Sequence, residues 1–471
     1  MDFSAAVFLY MSASFCYSAE MSIENPTTPD EPSMTDTASL DPVVLDPPGE
    51  PRIISRDQHC ISRSLIDEDV LKILHRLSRH DHLAYLVGGS VRDLLLGRAP
   101  KDFDVGTDAT PSQIKRLFRN CFLVGRRFRL AHIRFHGDKV VEVATFRRSP
   151  APEELPDDPG DYLHFVENVF GSPRQDAFRR DFTINALFYD IATFSIIDHV
   201  GGIEDLHARR LRVIGDPVTR FQEDPVRMLR ALELSARLDF TLDPGLEEGM
   251  RRCAPLIAGA SPSRLRDEVL ELFRYGVAGK VLPAAQRYGL LPHLLAGYGG
   301  DPESFALLQR LDGKTLAGSP MDEALAIAAL FLVPFLTAFP PKREGHVVEA
   351  LRRANDILLP HCRYFSIAQR IRQQARELLA GCFRLARGTG LRGEARFLHH
   401  PLTPQCLELF SLYVPEHPEL VELSDRWRRL VGGVPASPEP PAGEGRPRRR
   451  RRRRFRSRAP RTAPETEKNE P

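Results

Sequence analysis

Between residues 84 and 105 the chain reads as a short buried strand over Ala84–Val87, a tight Gly88-Gly89-Ser90 turn, a helix over Val91–Leu96 closed by Gly97, and a second strand over Asp102–Val105. That order commits the region to a packed mixed α/β unit. Upstream, Ile66, Val70, Ile73, Leu74 and Leu77 recur at helical spacing. Downstream, Thr110, Pro111 and Gln113 make a capping box for a helix with Ile114, Leu117 and Phe118 on one face. Phe122–Val124, Leu130–Phe135 and Val140–Phe146 read as strands, the last two joined as a hairpin across His136-Gly137-Asp138-Lys139. A short helix around Arg179–Asn185 and strands near Leu187–Asp190 and Ser195–Val200 follow. From Gly201 the pattern is almost wholly helical, over Val226–Leu238, Ser263–Tyr275, Met321–Phe339, His346–Leu358 and Tyr364–Leu379. The fold class expected is α+β, a small mixed-sheet head followed by all-helical neck, body and tail.

The 471 residues are enough for roughly three domains with large cores. The expected division is 1–54, an acidic disordered segment; 55–200, the head; 201–276, the neck; 277–432, the body and tail; and 433–471, a disordered Arg-rich end. A net charge of +2 hides opposed ends: residues 1–50 hold nine acids and no Lys or Arg, whereas 446–461 hold eleven Arg and no acid. Residues 149–161, rich in Pro and acids, read as a loop. Seven cysteines without a Cys-x-x-Cys pair exclude a disulfide scaffold or an evident zinc site and point to a reducing, cytoplasmic setting. Ala324–Phe339, a mostly apolar run of sixteen residues interrupted by Pro334, falls short of the ~20 that span a bilayer, so a buried helix and no membrane are expected. Residues 5–18 resemble a signal-peptide core, yet Asp2 stands where positive charge belongs; secretion and translation from Met21 or Met34 are equal readings.

The chemistry concentrates in four places. Asp102 and Asp104, two apart on a strand, would present two carboxylates side by side, whose mutual repulsion a divalent cation relieves. Mg²⁺, which takes a few carboxylate oxygens plus substrate phosphates, suits the pair, and the glycine turn offers N–H groups and the Ser90 hydroxyl to phosphate. Glu142, mid-strand, is either a third carboxylate for metal or the polar face of a half-buried strand. Arg179-Arg180-Asp181-Phe182-Thr183-Ile184-Asn185 suits a nucleotide's phosphates and ribose, or is simply a salt-bridged helix. Asp224 and Arg227, three apart at a helix start, either complement the helix dipole or set an acceptor beside a donor. Such a pair matches the donor–acceptor order of adenine and cytosine and rejects guanine and uracil.

In this order, Leu86–Asp104, Glu142–Arg147, Arg179–Asp190, Gly201–Gly215 and Glu223–Ala231 resemble the class II tRNA nucleotidyltransferase and bacterial poly(A) polymerase family, of the DNA-polymerase-beta-type nucleotidyltransferases. The resemblance covers about residues 55–280. It implies a nucleotidyltransferase head carrying two Mg²⁺ ions, a neck that binds the base, and helices that bind RNA. Asp102 and Asp104 match the metal ligands, and Gly89, Ser90 and Arg92 residues near the triphosphate. Asp181 matches an acid treated as catalytic in the poly(A) branch, and Arg180 and Asn185 match nucleotide contacts. Asp224 and Arg227 match the template for the base, with Arg230 a neighbouring contact. Glu233 departs, standing where members often have a third Arg. Gly125–Ile133 resembles the poly(A) branch, where CCA-adding members usually show Phe-Gly-Thr; Ser263–Gly276 and Arg363–Ile367 do so too.

The function expected is therefore a template-independent polynucleotide adenylyltransferase, with ATP as substrate, two Mg²⁺ as cofactors and RNA 3′ ends as partner, serving mRNA processing and RNA decay. Asp102 and Asp104 hold metal, and Glu142 or Asp181 assists. RNA-decay or RNA-binding proteins are candidate partners, and the Arg-rich tail is expected to touch RNA phosphates. The alternatives are a CCA-adding or A-adding tRNA enzyme and a non-catalytic RNA-binding protein on the same scaffold.

Overall fold

A computed structural model describes residues 49–125, 130–149, 169–295, 298–342 and 346–433. The expected disorder of 1–54, the loop at 149–161, the segment Gly125–Ile133 and the Arg-rich tail lie wholly or partly outside the described residues, at 1–48, 150–161, 126–129 and 434–471 respectively.

Eight strands, β1 (Arg52–Ile54), β2 (Ala84–Val87), β3 (Asp104–Thr107), β4 (Cys121–Val124), β5 (Leu130–Arg134), β6 (Val140–Thr145), β7 (Leu187–Asp190) and β8 (Ser195–Asp198), form one sheet in the order β1-β8-β7-β2-β3-β6-β5-β4. Within it β3 and β6 run parallel and the other neighbours antiparallel. The Glu68–Ser78 helix starts where the Asp67 carboxylate accepts from the N–H groups of Asp69 and Val70. It turns Val70, Ile73, Leu74 and Leu77 onto the sheet. With the Pro111–Leu117 helix, opened by the Thr110 and Gln113 capping box, it closes a core over Leu86, Val105, Ile133, Val143 and Leu187.

The opposite face carries the chemistry. Paired residues on neighbouring strands share a face, so the register draws one row across the sheet: Ile53, Ile197, Phe188, Val87, Asp104, Glu142, His132, Phe122. It is apolar up to Val87, where the Pro173–Arg179 helix lays Ala177 and Phe178 over Val87, Phe146 and Phe188. At Asp104 the row turns polar.

From the Gly202–His207 helix onward the chain is helical apart from a short parallel pair, Arg210–Leu211 with Thr241–Leu242, and one apolar core runs from Phe182 to Trp427, whose indole N–H donates to the Leu385 carbonyl at 3.0 Å. The expected apolar helix is Glu323–Ala338, buried along most of its length with Pro334 inside. Among the described residues no helix is long and apolar enough to cross a membrane.

Several local expectations differ from the structure. The sheet begins at Arg52, before residue 55, because β1 finds its partner in β8. The strand expected from Asp102 begins at Asp104, because β2 ends where Gly88 turns away and leaves Asp102 and Phe103 without a ladder partner. β8 stops at Asp198, whose carboxylate accepts from the N–H groups of Val200, Gly201, Gly202 and Ile203. The helix expected over Arg179–Asn185 is two pieces, Pro173–Arg179 and a single 3₁₀ turn at Thr183–Asn185, separated where Phe182 bridges Val213.

Gly106, two residues past Asp104, has no room for a side chain: a Cβ would lie 2.5 Å from Phe146 Cε1 and 2.9 Å from Val87 Cγ1. Gly106→Ala should therefore cost about 1–3 kcal/mol of stability by overpacking. A thermal or urea midpoint equal to wild type would contradict this packing.

Candidate active site

Gly88 opens the Gly89–Leu95 helix at φ 73°, where a Cβ would stand 3.1 Å from Arg180 Nη1. Glycine meets both demands, the left-handed backbone and the close approach. The groups that follow turn inward. The Ser90 hydroxyl donates to the Val87 carbonyl at 2.9 Å, and both residues are buried. Arg92 is 3% exposed; its Nε donates to Asp93 at 2.8 Å and its Nη1 to the Asn185 side-chain carbonyl. Both were expected beside a triphosphate; in this structure the Ser90 hydroxyl and the Arg92 guanidinium bond within the protein and hold the turn's shape.

Asp104 and Glu142 are register partners on the parallel pair β3 and β6, hence on one face, and Asp102 precedes β3 as an exposed residue. The Asp104 side chain has an open side but is otherwise closely surrounded by protein. That desolvation, followed by the charge of Glu142, raises its carboxyl to about 6; Arg180 pulls it down and Asp102 pushes it up again. Mutual repulsion of this kind is what a bound cation would relieve. Among the described residues no three His, Cys, Asp or Glu side chains are gathered closely enough to hold a metal unaided. The donor set is thus all oxygen and incomplete, which fits Mg²⁺ sharing its coordination with substrate phosphates and does not fit a closed structural site.

Arg180 reaches the same place from the other side. Its Nε and Nη2 donate to Asp176 at 3.1 and 2.9 Å, its Nη1 donates to the Asn185 carbonyl at 3.2 Å, and it lies 5.3 Å over the Phe188 ring. Asp181 does not join the carboxylates. Its Oδ1 accepts from the Phe182 N–H at 2.8 Å and from Asn185 Nδ2 at 3.2 Å, while Oδ2 lies 2.7 Å from Arg230 of the Val226–Leu238 helix. Burial pushes its carboxyl up, but Arg230 first, then Asn185, the Phe182 N–H and Arg227, hold it below its ordinary value.

Asp224 and Arg227 are not two positions on one helix. Glu223 ends the Pro217–Glu223 helix, Asp224 is extended at φ −151°, and Pro225 caps the next helix; a residue before proline is driven out of the helical region. The two side chains also have other partners. Arg264 clasps Asp224 through both guanidinium ends at 3.0 and 2.7 Å, and Arg227 donates to Glu223 and to the Arg220 carbonyl, each at 2.8 Å. Glu233 is buried beside Arg237 Nε at 2.6 Å; burial raises its carboxyl against the pull of Arg237, Arg92 and Arg230.

Sequence reasoning missed Arg220, which donates to the Arg179 and Arg180 carbonyls at 2.8 and 2.6 Å, and Arg264. It also missed Glu268, which burial raises to about 7 against Arg230, with Glu233 adding to the rise. Arg264 and Glu268 stand in Ser263–Gly276, but no spacing rule links them to Asp224 and Arg230, about forty residues earlier.

Residues 84–212 match the "Poly A polymerase head domain" family model, and residues 239–299 match "Probable RNA and SrmB- binding site of polymerase A". The chain is 38% identical over 403 residues to "Poly(A) polymerase I" of Salmonella typhi, covering 81% of this chain and 86% of that protein. It belongs to the poly(A) polymerase and tRNA nucleotidyltransferase family. It is accordingly an enzyme, a nucleotidyltransferase. Within the family it is also similar to a "CCA-adding enzyme" of Bacillus pumilus, 40% identical over 228 residues, 48% of this chain and 55% of that one. A tRNA nucleotidyltransferase solved with a primer tRNA and an ATP analogue shares the fold, with a TM-score of 0.56 and 24% identity over 76% of this chain and 97% of that one.

Because Asp104 is ionised against desolvation and the Glu142 charge, Asp104→Asn should leave the fold as stable or raise its midpoint by about 2 °C. A loss of several degrees would mean that Asp104 supports the fold and is not strained by its neighbours.

Proposed function

We propose that the chain adds AMP from ATP to RNA 3′ ends without a template. The observation that carries this is the row of Asp104 and Glu142 on an open sheet face, with Asp102 before it and Arg180 beside it. Asp102 and Asp104 are the residues that would hold Mg²⁺. Bound there, Mg²⁺ supplies the positive charge that offsets the triphosphate and the departing pyrophosphate. The RNA 3′-oxygen forms a bond to the α-phosphorus of ATP as the bond to pyrophosphate breaks. Glu142, one strand from Asp104 and exposed, is the carboxylate placed to assist at the 3′-hydroxyl. Asp181, with both oxygens engaged, takes a positioning role: it holds Arg230 and, through Asn185, the glycine turn.

Asp224 and Arg227 read the base, exchanging Arg264 and Glu223 for the adenine edge. Gly89 and Arg180 face the triphosphate, while Ser90, Arg92 and Asn185 support the turn. The division into head (55–200), neck (201–276) and body with tail (277–432) goes with this assignment, RNA lying along the helices. The Arg-rich end adds sequence-independent phosphate affinity.

Adenylate addition to general RNA is favoured over CCA addition because Poly(A) polymerase I relatives align over 80–81% of the chain, whereas CCA-adding relatives such as those of Bacillus pumilus and Lactobacillus johnsonii align over 48% and 60%. The Gly125–Ile133 sequence points the same way. The 40% identity of that shorter match keeps CCA or A addition to tRNA as the second reading.

Denaturing gels with ATP or CTP as sole nucleotide, on tRNA lacking CCA and on unrelated RNA, test the assignment. Extension of both RNAs with ATP alone is expected, with Asp102→Asn and Asp104→Asn each lowering it at least 100-fold, as several kcal/mol of transition-state stabilisation implies. Use of CTP on tRNA alone would establish the CCA reading, and no addition by the wild-type chain would end both.

A further inference from the structure

The sheet face that carries the carboxylates is covered on one side of them and open on the other. Toward β7 it is buried under the Pro173–Arg179 helix. Toward the β4 edge it presents Phe122, Val124 and Val140 at 51%, 45% and 41% exposure. Phe122 stands in the same row as Asp104, Glu142 and His132, three strands from Asp104, or about 14 Å at ~4.8 Å per strand. Arg134, two residues along β5 from His132 and on the same face, lays its guanidinium over the Phe122 ring 4.8 Å from the centroid. That guanidinium has no acidic partner among the described residues. His132 Nε2 lies 3.3 Å from the Glu142 carboxylate, so the polar row continues from Glu142 through His132 toward the aromatic.

An exposed aromatic ring backed by an arginine with no acidic partner among the described residues, at the end of a row that begins with the proposed reactive centre, has the chemistry of a base-stacking surface. Every nucleobase offers a π-face to such a ring, and the cation beside it favours the phosphates on either side. Resting on the adenylyltransferase reading above, we propose that the outer face of β5 and β4, with Phe122 stacked on Arg134, is a platform for the RNA nucleotides just upstream of the 3′ end. Stacking holds the strand without reading its sequence, which a polymerase that meets its own product after each addition requires. The 3′-hydroxyl then lies at Asp104 and Glu142 while the nucleotides behind it run over His132 to Phe122.

Phe122→Trp provides a direct probe, because the chain's one tryptophan, Trp427, is fully buried and wild type serves as the blank. Single-stranded oligo(A) titrated into the full chain without Mg²⁺ or ATP should quench the new emission saturably and leave wild type unchanged. In steady-state assays Phe122→Ala should raise the RNA concentration for half-maximal AMP addition about fivefold or more, with the ATP KM within about twofold and Phe122→Tyr restoring the RNA dependence. Emission of Phe122→Trp untouched by RNA at concentrations that saturate AMP addition, or a wild-type RNA dependence in Phe122→Ala, would overturn the platform; a face kept for another protein gives that result. Absence of AMP addition by wild type would instead strike the adenylyltransferase reading, since the quenching is read without it.

Discussion

A buried carboxylate holds the two halves of the site together. Asp181 is expensive to bury, and its environment offsets that cost with the Phe182 N–H, the Asn185 amide and the Arg230 guanidinium. Each contact leads outward. Asn185 accepts from Arg92, which is locked to Asp93 inside the helix after the glycine turn. Arg230 belongs to the helix that begins just past Asp224 and carries Arg227 in its first turn. The turn proposed to face phosphate and the residues proposed to face the base are thus tied to one ionised group. Arg220 reinforces the tie by donating to the Arg179 and Arg180 carbonyls.

The sheet supplies the other half of the geometry. Parallel pairing of β3 with β6 places Glu142 opposite Asp104, although 38 positions separate them in sequence. Gly106 lets Phe146 and Val87 close beneath, so the apolar cover ends where the carboxylates begin. The raised carboxyl of Asp104 records the consequence: a position whose charge is disfavoured by its surroundings and by Glu142, a cost that a cation would relieve.

Much of this was legible in the chain, and the exceptions have a common cause. The apolar period from Ile66 to Leu77, the Thr110 capping box, the Val226–Leu238 helix and the β7 strand all rest on local patterns, and the structure has them where those patterns place them. The strand start at Asp104, the two-piece segment after Pro173 and the β1 strand depend on which distant strand is available to pair, which no local window contains. Side-chain partners divide in the same way. Asp102 and Asp104 stand out because they are two apart in the sequence, whereas the clasp of Arg264 on Asp224 and the inward turn of Arg92 follow from tertiary packing. Pro225 was the local signal that Asp224 leaves the helix, and its effect on the preceding residue was there to be read.

The dependence of the site on Asp181 is tested most directly by a double-mutant cycle of Asp181→Asn and Arg230→Gln, read in kcat/KM for AMP addition. If the two residues act as one tie between turn and neck, either change alone removes most of their joint contribution. The double variant should then fall within about threefold of the worse single variant. Losses that multiply across the two sites would show that Asp181 and Arg230 act independently, and that head and neck are not joined through this carboxylate.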